Sequence, residues 1–438
     1  MCLFYMKIRY SFIFYFFLLL SCSSPKRQEI VFNGEITSSE EVDYPLTIDL
    51  EACMRNQSLS IKLSSFVEDV FYIPIKNQSE DIYIRYLSGL EYDEQSCLFI
   101  LNDPFYAFTV DTLGHFVNQI GRIGQGPGEY KQIANISVNS EDKLIYIKTA
   151  YKHNAITYDY NGHVIRESSP MGIDLFTGTV FYYDHALWGI GIPYTSRALR
   201  VRKEKRLFYG YVLLDSLCRR TSLQTASPIE PYGDLEGLES GISQPGISIY
   251  KDVVLLTHSG GAPSDTVYTI RNKQFVPRYF LNYGSHRPDI SKIWSQGGGS
   301  SFDHSYVSMN QAFETERFFF IEIRFQGKCY IICYDKYIGK GFSIPMTICL
   351  NERGTPLAQG FENDIDGGLP FYPQSVSSSG TYWLAYMNPS DMKEILTEEY
   401  FAAHPDIQNK KKQDKLRAIV ANADEEDNPI LVLLKLRK

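Results

Sequence analysis

The densest group of side chains able to do chemistry is Glu362-Asn363-Asp364-Ile365-Asp366-Gly367-Gly368, with four oxygen-bearing side chains in five residues ahead of two glycines. Calcium takes about six to eight oxygen ligands, so Asn363, Asp364 and Asp366 are the candidate ligands of a calcium site. The stretch lacks the third acidic position and the downstream Glu of an EF-hand loop, and an exposed turn built from Asn, Asp and Gly is the alternative. His153, His185, His258 and His304 each stand without a second ligand nearby in sequence, a pattern more typical of turn and surface residues than of a metal centre. Tyr151 and His153, in Tyr151-Lys152-His153-Asn154, and Trp294, near Gly297-Gly298-Gly299, are candidate ligand-binding loop residues, since an aromatic ring offers a flat apolar face with a polar handle. Packing between sheets is the competing use of such aromatics. Ser295, Ser300 and Ser301 form no Gly-x-Ser-x-Gly nucleophile elbow, and no catalytic residue or cofactor other than calcium is assigned.

The elements that would position these residues are strands. Gly121-Arg122-Ile123-Gly124-Gln125-Gly126-Pro127-Gly128-Glu129-Tyr130 is followed by strand-like Ile133, Ile136 and Val138 and by Leu144-Ile145-Tyr146-Ile147, so it reads as a tight connection between strands. A dinucleotide fingerprint would open a helix, and a P-loop would end in Lys-Ser or Lys-Thr; neither is present, and Glu129 sits where an anion would approach. Ala107-Phe108-Thr109-Val110-Asp111-Thr112-Leu113-Gly114-His115 repeats as Ala155-Ile156-Thr157-Tyr158-Asp159-Tyr160-Asn161-Gly162-His163, each copy a strand and an Asp-x-x-Gly turn. Weaker copies lie at 211–216, 266–272 and 330–336. A spacing of roughly 50–60 residues of short strands predicts an all-β, six-bladed β-propeller of four-stranded antiparallel blades. The blades fall near 68–120, 121–170, 171–228, 229–284, 300–350 and 370–438, with seven as the alternative count. The terminal Ile430-Leu431-Val432-Leu433-Leu434-Lys435-Leu436 is suited to completing a blade begun by the N-terminal chain, which removes open sheet edges. Before it, Ser390 to about His404 and Asp406 to about Asn422 read as a short helical insertion, with Lys410, Lys411, Lys412 and Lys415 on a solvated face.

The N-terminus pairs Lys7 and Arg9 with the apolar run Phe12–Leu20, a secretory signal too short to span a bilayer. This divides the chain into a signal peptide over 1–21, a flexible tether over 22–43 and a propeller over 44–438. The formal charge of −8 becomes two units more acidic once Lys7 and Arg9 are removed, and the absence of a basic stripe argues against a nucleic-acid partner. The remaining cysteines are too few for a disulfide scaffold, and Cys329 and Cys333 on one strand would stand about 13 Å apart, too far to bridge. A monomer is expected.

Leu19-Leu20-Ser21-Cys22 resembles a bacterial lipobox, which implies lipid attachment at Cys22, with cleavage nearby and an unmodified Cys22 as the alternative. Gln119 through Glu167 resembles an NHL-type repeat, with its glycine linker, Ile145-Tyr146-Ile147 strand and Asp-x-x-Gly turn. It departs from that repeat at Lys148-Thr149 and Asn154-Ala155, where an Asp and an Arg usually flank the loop, so no ligand geometry is borrowed. Together with Glu362–Phe371 and Asn428–Val432, the chain looks like the six-bladed propeller lipoproteins of gut Bacteroides. The resemblance implies a propeller anchored through its lipid in the cell envelope, an outer-membrane lipoprotein facing the periplasm or the surface. Its expected role is that of a binding or scaffold module for a glycan, peptide or envelope partner. A lyase or hydrolase working at the central channel, metal-assisted or not, is the rival; convergent His, Asp and Glu there would favour the enzyme.

Overall fold

The computed structural model describes residues 42–437 apart from 77–82, 85, 152–153, 169–175, 193–209, 215–219, 226–245, 252, 258–265, 288–305, 352–353 and 378. The first blade is formed by Gly89–Asp93, Leu98–Asn102, Ala107–Asp111 and Phe116–Gln119, and the second by Ile133–Asn139, Leu144–Thr149, Ala155–Asp159 and Val164–Glu167. Phe176–Tyr183, Ala186–Ile192, Gly210–Leu214 and Arg220–Thr225 make the third. Ser308–Glu314, Phe318–Phe325, Lys328–Asp335 and Lys340–Pro345 make the fourth. The fifth joins Val67–Pro74 to Ile430–Leu436, Tyr382–Met387 and Ser375–Val376. Five sheets, not six, are therefore four-stranded antiparallel blades among the described residues. The sheet of Gly246–Tyr250, Val253–Thr257, Thr266–Arg271 and Gln274–Asn282 departs from the expected pattern because Leu46–Asp49 adds to its edge in parallel, Leu46 opposite Tyr279, making it five-stranded.

The repeated turn is explained by its bonds. Asp111 Oδ1 accepts from the backbone N–H groups of Leu113 and His115, and its Oδ2 lies 3.0 Å from His115 Nδ1. Asp159 does the same for Asn161 and His163. Gly114 and Gly162 hold φ of +85° and +83°, and a Cβ there would stand 2.0 Å from the Pro74 carbonyl oxygen or 2.4 Å from that of Gln119. Glycine thus supplies both the left-handed backbone and the close approach of each turn to the preceding blade. The glycine-rich connector is likewise structural: Glu129 accepts from Gly126 N–H and Arg122 Nε, while the buried Tyr130 hydroxyl donates to the Ile120 carbonyl.

The core is divided into layers between neighbouring sheets. Phe66, Phe320, Phe361 and Trp383 knit the fourth blade to the fifth, with Phe66 and Phe320 edge to face at 4.9 Å. Chain ends meet as expected: Val67 through Pro74 pair antiparallel with Leu436 through Ile430. The helical insertion is corrected in its bounds. It comprises Pro389–Ile395, Glu398–Ala403 and Lys410–Asn422; Thr397 caps the second helix by accepting from Tyr400 N–H, which breaks the expected 390–404 helix in two. Lys412 is not merely solvated, because it donates to the Val70 carbonyl at 2.7 Å, pairs with Asp69 and lies over the Phe71 ring.

Where Leu46–Asp49 joins its sheet, a buried ionic cluster lies between that sheet and the fourth blade. Arg278 Nε donates to Glu314 Oε2 at 2.7 Å, Lys336 Nζ lies 2.6 Å from Glu314 Oε1, and the Tyr44 ring covers the Arg278 guanidinium at 3.9 Å. Burial disfavours the Glu314 carboxylate, yet its two cationic partners outweigh that and hold it below the usual range.

Candidate functional site

The acidic loop 362–368 is a structural junction. Asp364 accepts from Ser64 through both its backbone N–H and its hydroxyl, at 3.0 and 2.6 Å, and from Gln408 Nε2 at 3.1 Å. Asn363 Oδ1 accepts from Ile365 N–H, and its Nδ2 donates to Asp366 Oδ1 at 2.8 Å. Asp366 is fully buried; Gly368 N–H and the Tyr72 hydroxyl also donate to Oδ1, whereas Oδ2 has no protein partner. Burial raises its carboxyl above the ordinary value against those donors. The oxygens of Asn363, Asp364 and Asp366 are thus turned to separate tasks rather than gathered on one point, and among the described residues no group of three His, Cys, Asp or Glu side chains converges as a metal site.

Tyr151 is exposed on the connection between the second and third strands of the second blade. His153, Trp294, Cys22, His258 and His304 lie outside the described residues, as do Ser295, Ser300 and Ser301. His185 is an exposed turn residue facing Glu141 at 3.2 Å.

A different site emerges from the innermost strands. They surround a cavity of about 390 Å³, lined by Leu87–Glu91 of the first blade, Asn135–Ser137 of the second, Thr179–Phe181 of the third, Ile247 and Ile249 of the five-stranded sheet, and Gln374–Val376 and Tyr386 of the fifth blade. Leu87, Ser88 and Gly89 put one end of the cavity, its mouth, where the inner strand of the first blade begins. Gly89 and Ile133 begin their inner strands at the end where the connection 103–106, the residues Ala150, Tyr151 and Asn154, and the 120–132 linker also lie. That end carries the exposed Tyr83, Tyr86, Phe105, Tyr106 and Tyr151. The helical insertion leaves the fifth blade there too, directly after Met387. Asp103 stiffens the rim by accepting from Phe105 and Tyr106 N–H, both at 2.6 Å.

The cavity wall mixes aliphatic side chains with hydroxyl and amide groups and carries a single carboxyl among the described residues. Asn135 is occupied in bridging blades, donating to the Val180 carbonyl at 2.7 Å and accepting from Val180 N–H, and Ser137 Oγ accepts from Tyr182 N–H. Glu91 is the one ionisable acid or base among the described lining residues besides the Tyr386 phenol, and among the described residues it has neither a hydrogen bond nor an ion pair. Burial alone pushes its carboxyl from 4.5 up to about 7. The sequence reading passed over Glu91; its signal is a charged residue inside the apolar strand Gly89-Leu90-Glu91-Tyr92-Asp93, which looks identical to an ordinary solvent-facing position.

A family profile described as a domain of unknown function, DUF4934, matches residues 45–435. The match does not show NHL repeats. Among solved structures, a Bacteroides fragilis protein described as exported superposes with a TM-score of 0.61 at 18% identity, covering 90% of this chain and 99% of that one. A DUF4221 family member from Bacteroides vulgatus gives 0.46 at 9% identity, covering 85% and 97%. A gluconolactonase of Xanthomonas campestris gives 0.39 at 10%, covering 87% and 94%. No functionally curated protein matches.

Proposed function

For a chain that belongs to the DUF4934 family, we propose a binding module that receives its ligand in the mouth of the central channel. The observation that carries this reading is the cavity of about 390 Å³, within the range that holds small ligands, with a rim of exposed aromatics on the same face. Its described lining supplies one carboxyl and no histidine, so the paired acid and base of a hydrolase have no second member there. The binder is accordingly favoured over the channel enzyme.

The location completes the proposal. A signal peptide over 1–21, lipid on Cys22 and a tether over 22–43 would hold the propeller in the cell envelope, facing the periplasm or the surface, and a propeller neighbour described as exported is consistent with this. The described residues include no helix long and apolar enough to cross a membrane. Thermal unfolding of the purified chain against envelope glycans and peptidoglycan fragments tests the reading, since a ligand present at 100 times its Kd stabilises the folded state by about 2.7 kcal/mol. Ser88 lines the mouth, is exposed, and its side chain makes no hydrogen bond among the described residues, so Ser88→Trp obstructs the cavity while sparing the core. The expected result is a ligand that raises the midpoint of the parent and not of S88W; equal shifts in both would sink the channel as the site.

A further inference from the structure

A carboxyl side chain enclosed by protein ordinarily has a cation or several hydrogen-bond donors against it. Asp364, Asp366 and Glu314 all follow that rule here. Glu91 does not. The cavity it lines sets aliphatic side chains, Ile136 and Val180 among them, beside hydroxyl and amide groups such as those of Ser88, Gln374 and Ser375. Of the titratable groups around the cavity, Asp93 and Tyr92 share its strand, Tyr386 lines the wall, Tyr160 of the second blade, whose hydroxyl is already bonded to Asp93 Oδ2 at 3.0 Å, senses the Glu91 charge, and the buried Lys148 stands one strand behind the lining residue Asn135. No Lys, Arg or His lines the cavity among the described residues. An uncompensated acid in a cavity of mixed apolar and polar lining is a complementary site for a cation carried on a small organic body: the carboxylate supplies the counter-charge, the aliphatic side chains take the carbon skeleton, and the hydroxyl and amide groups serve its polar substituents.

Resting on the channel-mouth reading above, we propose that the cavity binds a primary ammonium group, seated on the Glu91 carboxylate. Inorganic cations are the poorer fit, because no second carboxylate joins Glu91 in the described lining. Two sources of an ammonium group share this chemistry, an amino sugar and an alkylamine of the kind a lysine side chain presents. The cavity volume admits a group of either size.

Isothermal titration of the purified full chain with glucosamine, n-butylamine, N-acetylglucosamine and glucose separates the cases. The expected result is that one or both amines bind at least tenfold more tightly than the uncharged sugars at pH 7.2, where glucosamine is still largely its ammonium form, and that Glu91→Gln removes the difference. Glucosamine alone identifies the amino-sugar source, and n-butylamine binding as well as glucosamine identifies the bare ammonium. Amine affinity should fall as pH drops below about 7, where the carboxyl takes up its proton. Glu91→Gln is nearly isosteric, and a second variant, Glu91→Asp, keeps the charge and should retain a weakened preference, so loss of folding in one leaves the other to decide. Equal binding of glucosamine and N-acetylglucosamine, unaffected by Glu91→Gln, would overturn the ammonium inference while leaving the channel as a binding site. Absence of binding by all four probes, with no channel-dependent shift from the glycan and peptidoglycan series, would overturn both.

Discussion

Replacing Glu91 by Gln should stabilise the empty protein, and the gain should depend on pH in a defined direction. The Glu91 carboxyl titrates near 7 in the folded chain and near 4.5 when exposed, because burial disfavours its charge. The unfolded chain therefore loses this proton first, and the folded state loses stability as pH rises from about 4.5 to about 7, staying at the lower level above that. At about 1.4 kcal/mol for each tenfold in proton affinity, the shift corresponds to at most about 3 kcal/mol. The side chain is partly open to the channel, so water reduces the figure to about 2 kcal/mol. Urea titrations of parent and Glu91→Gln at pH 4.5 and pH 8 measure it: the variant should gain about 2 kcal/mol at pH 8 and almost nothing at pH 4.5. A loss of stability at pH 8 would show that Glu91 has a cationic partner, and an equal effect at both pH values would show that its charge is not disfavoured. Either outcome would remove the physical ground for a ligand cation.

Gly114→Ala should cost about 1–3 kcal/mol from the left-handed backbone, with a further penalty from the Pro74 carbonyl. Gly354→Ala, with φ +77° and no atom within 4 Å of the new Cβ, should cost clearly less in the same denaturation assay. Glu314→Gln should destabilise by about 3–5 kcal/mol, since it leaves Arg278 and Lys336 buried without their carboxylate; a joint exchange of Arg278, Glu314 and Lys336 for Met, Leu and Met should cost much less. A chelator should leave the melting midpoint unchanged, because the Asn363 and Asp364 oxygens are held by protein donors. A calcium-dependent rise lost in Asp364→Asn would contradict that account.

Local chemistry was legible in the sequence, and long-range chemistry was not. The Asp-x-x-Gly-His turns could be read because every bond that makes them lies within five residues, from Asp111 to His115 and again from Asp159 to His163. The closing strand 430–436 was legible from its apolar run, since a propeller must hide its edges. The pattern of uniform blades failed where Leu46–Asp49 pairs with residues 279–282, a contact far away in sequence that no periodicity encodes. The distant partners of the acidic loop were illegible for the same reason: Ser64, Tyr72 and Gln408, which donate to Asp364 and Asp366, are far from it in the chain. Glu91 was invisible because alternation along a strand separates one sheet face from the other. It does not separate solvent from a channel enclosed by sheets.

The central claim is that a ligand enters the channel mouth and meets Glu91. A crystal structure of the chain soaked with glucosamine tests it most directly. The account predicts the sugar inside the cavity bounded by Gln374 and Tyr386, its ammonium nitrogen within about 3 Å of a Glu91 carboxylate oxygen. Sugar bound elsewhere on the surface, with water alone beside Glu91, would contradict it.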